Sequence, residues 1–160
     1  MFCTEYPLPE GWKATLPKPD HQWVSKALFT YSALGVPQLD IGRVTGLWFY
    51  PPQPALTLTR PPSVKKYFTQ QLFLWMPRKL WRVKLVCTQD ECAQNELTSA
   101  GIYRFVRQVL DVDSFYNLAS ERLECSKCKR KFISWSESIV NQLDVGHRRQ
   151  FPLICTKKSM

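Results

Sequence analysis

The chain has 160 residues, of which 44% are hydrophobic and 13% aromatic, a composition that excludes a disordered polypeptide and suits one small domain with an appendage. Its 22 Lys and Arg against 13 Asp and Glu leave a net charge of +9, which makes a polyanion, nucleic acid first, the expected partner class. No apolar run approaches a membrane span, and the opening Met1-Phe2-Cys3-Thr4-Glu5-Tyr6-Pro7 carries neither a basic cluster nor an apolar stretch. The expectation is therefore a nuclear or cytoplasmic protein that is not secreted, where paired cysteines hold metals more often than they form disulfides.

Ten of the twelve prolines fall in the first 62 residues. Because proline lacks the backbone donor, Tyr6-Pro7-Leu8-Pro9 and Pro17-Lys18-Pro19 cannot hold a regular ladder. A short helix is predicted between Asp20 and Thr30, with Asp20 as cap and Trp23, Ala27 and Leu28 on one face. Val44 to Tyr50 reads as a strand stopped by Pro51-Pro52, and Pro51-Pro52-Gln53-Pro54 and Pro61-Pro62 as extended connections. Residues 1–70 are thus expected to be an irregular, proline- and aromatic-rich N-terminal arm. Its Trp12, Trp23 and Trp48 need a core to bury them.

The pattern changes at Gln71. Leu72 to Met76 is an apolar run stopped by Pro77, and Arg82 to Val86 alternates as a strand that delivers Cys87. Ile102 to Leu110 alternates loosely. Asp111 to Ser114 makes a turn, and Phe115 to Glu124 is a long strand that delivers Cys125, with Glu121 and Glu124 read as exposed. Lys131 to Trp135 is the last strand. Ser136 then caps a short C-terminal helix through Leu143, and Asp144 caps a further turn.

Four residues separate Cys87 from Cys92, 32 separate the two pairs, and two separate Cys125 from Cys128. Each close pair can grip one side of a tetrahedral ion from a single turn, which is the spacing of a structural, four-thiolate Zn2+ site. All four positions are filled by protein, so no place remains for a reactive water. Cys3 and Cys155 lack a paired neighbour and are read as a tail thiol and a small apolar residue. Both sulfur turns join strands, so the fold class expected is small α+β: a β-rich zinc ribbon of antiparallel strands over residues 71–155, followed by a tail at 156–160.

The first turn is acidic, with Asp90 and Glu91, whereas the second is dense in cations. Lys127, Lys129, Arg130 and Lys131 either offset the thiolates or meet a phosphate backbone. Arg78, Lys79 and Arg82 form a second basic segment around Trp81, either a stacking surface or a buried indole flanked by solvated cations. Catalysis has little to rest on. His21 and His147 are far apart in sequence, Asp111 and Asp113 suit a turn, and no glycine loop could cradle a phosphate.

Several segments carry a resemblance. They are Leu47-Trp48-Phe49-Tyr50-Pro51-Pro52, Leu74-Trp75-Met76-Pro77-Arg78-Lys79-Leu80-Trp81, Leu97 to Tyr103, Arg107 to Asp111, Glu121 to Cys128, and Trp135-Ser136 before Asn141-Gln142-Leu143-Asp144. In these the chain resembles an uncharacterised eukaryotic domain-of-unknown-function family, often found beside modules linked to mobile elements. The resemblance implies that Cys87, Cys92, Cys125 and Cys128 are the metal ligands; the first pair is looser here than in the family. The expectation is a non-enzymatic zinc-binding module that contacts nucleic acid, derived from a mobile element, with no membrane and no small-molecule substrate. The alternatives are a protein-interaction scaffold and an accessory fragment of a larger enzyme.

Overall fold

The computed structural model describes residues 6–53 and 69–152. Cys3, Cys155, Pro61-Pro62 and the tail at 156–160 lie outside the described residues. The chain divides into two compact units, Met1–Leu74 with Arg104–Ala119, and Trp75–Tyr103 with Ser120–Met160. The long strand runs through both. No helix among the described residues is long and apolar enough to cross a membrane.

The first unit is more regular than an arm. It opens with α1 (Glu10–Thr15) and α2 (Lys18–Leu28). Prolines enter both: Pro9 and Pro17 hold the cap positions, and Pro19 sits in the first turn of α2, where a missing donor costs nothing. The helix therefore starts earlier than predicted, and Asp20 lies inside α2 rather than at its cap. Its buried carboxylate instead accepts from the Trp23 indole at 2.8 Å, from Gln70 N at 2.9 Å and from Asn117 Nδ2 at 3.2 Å. Gly11 lies against the Arg104 carbonyl, where a Cβ would collide. Nearby, Thr15 Oγ1 accepts from Val106 N at 2.9 Å. Trp12 is fully buried and meets Phe29 edge-on at 5.0 Å.

A hairpin follows, β1 (Phe29–Tyr31) against β2 (Pro37–Leu39), and then β3 (Trp48–Phe49), shorter than the predicted Val44 to Tyr50. β3 pairs with β4 (Leu72–Trp75), all of whose side chains are buried, through Trp48↔Phe73. Trp48 packs on Phe73 at 4.6 Å and Tyr116 at 5.1 Å. The predicted Ile102 to Leu110 strand is broken: β5 (Leu97–Ile102) ends before β6 (Arg107–Leu110), which pairs with the start of β7 (Phe115–Cys125) around the expected turn at Asp111.

In the second unit β5 and β8 (Lys131–Ile133) both pair antiparallel with the end of β7. The register Leu97↔Cys125 sets the second sulfur turn at the end of the ladder. Pro77, expected only to stop a strand, starts the short helix α3 (Pro77–Trp81). Met76 cannot cap it. Glu121 does, accepting from Arg78 N at 2.9 Å, so this glutamate is fully buried rather than exposed. Burial pushes its carboxyl above the usual range, against the pull of the Arg78 and Lys79 amides. α4 (Glu137–Val140) follows Ser136 at its cap position, and α5 (Val145–Arg148) is capped by Asp144 through His147 N. Trp75 is fully buried, with its indole on Ser134 O at 2.9 Å, and Trp81 stacks on His147 at 4.4 Å.

Candidate metal centre

The predicted strand from Arg82 to Val86 does not form. Arg82 turns left-handed at the end of α3, and the segment beyond it contributes one bridge, Val86↔Glu96. The backbone is held by other means. Gln142 grips Val86 with both ends of its amide, accepting from Val86 N at 2.8 Å and donating to Val86 O at 3.0 Å. Leu97 N donates to Leu85 O at 2.8 Å. Cys87 is therefore placed from both sides without a regular ladder.

The longer first turn closes around a short 3₁₀ segment, Asp90–Cys92. Ala93 and Gln94 then take left-handed conformations, φ 46° and 58°, and send the chain back to Asn95. Asn95 O accepts from Cys87 N at 2.9 Å, and Asn95 N donates to Cys92 O at 2.9 Å. The second turn is tighter. Cys125 N donates to Arg130 O at 3.0 Å, Lys129 N donates to Cys125 O at 2.9 Å, and Lys129 is left-handed.

These two turns bring Cys87, Cys92, Cys125 and Cys128 together, with their four sulfurs all within 4.8 Å of one another. None is in a disulfide; the first three are buried and Cys128 is exposed. A dication bonded to four thiolates at about 2.3 Å places the sulfurs about 3.8 Å apart by tetrahedral geometry. Cys87 and Cys128 already stand at 3.7 Å. The set could hold a metal ion.

The hydrogen bonding also suits ionised sulfur. Backbone N–H groups of Cys128 and Lys127 and the Asn95 amide, at 3.5 Å, all point at Cys125 Sγ and draw its thiol down to about 6. Gln89 N serves Cys87 in the same way, but there burial dominates and pushes the thiol up. Burial, reinforced by the neighbouring sulfurs, pushes Cys92 up to about 12. A bound dication supplies the charge that lets such crowded thiols ionise together.

Asn95 had no place in the sequence reading, yet it joins the turns: its side chain also donates to Ser126 Oγ at 2.9 Å. Its signal was position, three residues past Cys92, where a side chain tolerant of turns is wanted.

Of the cations, Lys127, Lys129, Arg130 and Lys131 are all exposed. Arg78, Lys79 and Arg82 line a concavity of about 410 Å³ together with Val83 and Glu96. Trp81 between them is half-buried rather than a free stacking face.

Residues 12–160 match the family model described as Domain of unknown function (DUF6729), and the chain belongs to that family. No curated protein and no solved structure matches it.

Proposed function

We propose that this chain is a non-enzymatic binding module, a zinc ribbon whose second sulfur turn holds the phosphate backbone of a nucleic acid. Four soft thiolate donors in one cluster favour zinc, and a coordination shell filled by protein would make the ion structural. The observation that supports nucleic-acid contact is the second turn itself. Four exposed cations, Lys127, Lys129 and Arg130 in the turn and Lys131 at the start of β8, lie close together in sequence, and among the described residues no ion pair engages them. The first turn presents Asp90 and Glu91 instead, both exposed, so a phosphate chain is steered to one side of the centre.

The test is fluorescence anisotropy of the metal-loaded chain with a single-stranded oligonucleotide between 50 and 200 mM salt. Four phosphate contacts give a slope of log affinity against log salt of about −3. Replacing the four cations with Gln should flatten that slope and cost at least tenfold in affinity. Binding that ignores salt, or no binding at low salt, overturns the reading. Native mass spectrometry should find one zinc per chain, and a different metal would overturn that part alone.

A further inference from the structure

The concavity lined by Arg78, Lys79, Arg82, Val83 and Glu96 holds about 410 Å³, and its three cations have no ion-pair partner among the described residues. The fold sets their backbone positions, and for Arg78 the side chain as well. Arg78 is pinned twice, by its backbone N on Glu121 Oε1 at 2.9 Å and by its Nε on Leu97 O at 3.2 Å, which leaves its terminal nitrogens for a ligand. Lys79 follows on the same short helix. Arg82 ends it in the left-handed conformation, φ 53°, an arrangement with a backbone cost for a residue other than glycine. The chain therefore turns sharply at the cation.

We infer that this concavity seats a terminal phosphate, the monoester at the end of a nucleic-acid strand. The charge balance selects the ligand. Three cations and one carboxylate line the walls, a net of two positive charges before the buried Glu121 carboxyl behind Arg78 is counted. A phosphate monoester carries about −1.5 to −2 near neutral pH, whereas each internal phosphodiester carries a single charge. A diester is best met by an open basic groove along the strand; a local concavity walled by three cations suits the doubly charged end. Guanidinium forks match the oxygens of such a group, and Lys79 adds a point charge. This inference rests on the nucleic-acid reading, since it places the end of the strand on the unit whose second sulfur turn would hold the backbone.

The experiment uses the full metal-loaded chain and one oligonucleotide prepared with a 5′-phosphate, with a 3′-phosphate or with hydroxyls at both ends. One phosphorylated form should bind about tenfold tighter than the hydroxyl form, and pyrophosphate should compete for that advantage. The double variant Lys79→Gln/Arg82→Asn should bind all three forms equally while keeping its melting temperature; Arg78 is spared because the fold uses it. Equal affinity of the three forms for the wild-type chain overturns the inference and leaves the backbone reading intact. A preference that survives in the double variant overturns it as well. If no oligonucleotide binds, the backbone reading falls and pyrophosphate decides the cavity: binding lost in the double variant supports the seat, and no binding sinks it.

Discussion

The two compact units solve the same problem, how to fix an irregular chain, by different chemistry. The first buries large apolar side chains: Trp12, Leu28, Phe29, Leu72 and Phe73 are all at most 1% exposed. Its polar centre is Asp20, held by neutral donors. The second has a core at Trp75, Leu97 and Leu123, but one end is built from two loops that meet at four sulfurs and through the Asn95 side chain. Where apolar area holds the chain, single changes should cost a few kcal/mol. Where an ion would hold it, one ligand should decide the fold of that end. Any sensitivity to chelators is therefore expected in the second unit.

The sharpest way to break that contrast is Cys125→Ser. One lost thiolate leaves the ion incompletely held, and structural zinc sites contribute about 10 kcal/mol or more of folding free energy. The variant should lose bound metal, and amide exchange should accelerate through Trp75–Tyr103 and the segment after Ser120. Full metal content with unchanged melting would show that Cys125 is not a ligand on which this end of the fold depends. Chelation of the wild-type chain should give the same exchange pattern, and falling pH should release the ion because protons compete for the thiolates.

A smaller effect is expected from Asn95→Ala. The backbone bonds of Asn95 to Cys87 and Cys92 survive, while its side-chain links to Cys125 Sγ and Ser126 Oγ are lost. Losing ligand-orienting hydrogen bonds should weaken metal affinity by about 10–100-fold without unfolding the chain. Titration with a competing chelator measures it. Unchanged affinity would mean that the two turns meet without help from this amide.

The sequence made the site far more legible than the fold around it. Four cysteines can be paired by spacing alone, because a metal knuckle is a local turn and tolerates any route between its halves. The strand before Cys87 was not legible. Arg82 to Val86 alternates as a strand should, yet its place is set by a side chain 56 residues away, Gln142. Glu121 misled in the same way: alternation puts a carboxylate on a strand, and only the distant start of α3 explains why it is buried. The helices at Glu10 and Lys18 were hidden by prolines, which forbid ladders but serve well in a first turn. Gly11 gave no local signal, since the carbonyl it makes room for belongs to Arg104.

The smallest effect tests the first unit. Burial raises the Asp20 carboxyl above its usual 3.8, ahead of the lowering donors. The folded chain thus binds the proton more tightly than the unfolded one, and the group's contribution to stability is greatest below 3.8 and declines as pH rises through the folded value. Asp20→Asn should remove that decline. The new amide can keep an oxygen toward Trp23 and Gln70, and Asn117 can rotate to accept, because its Oδ1 has no partner at present. Net stability at neutral pH should therefore change by less than about 1 kcal/mol, whereas Asp20→Ala strands three donors and should cost about 2–3 kcal/mol. Denaturant unfolding at several pH values separates the two. If Asn is as damaging as Ala, the negative charge itself organises this core, and the first unit would depend on one charged centre as the second is proposed to.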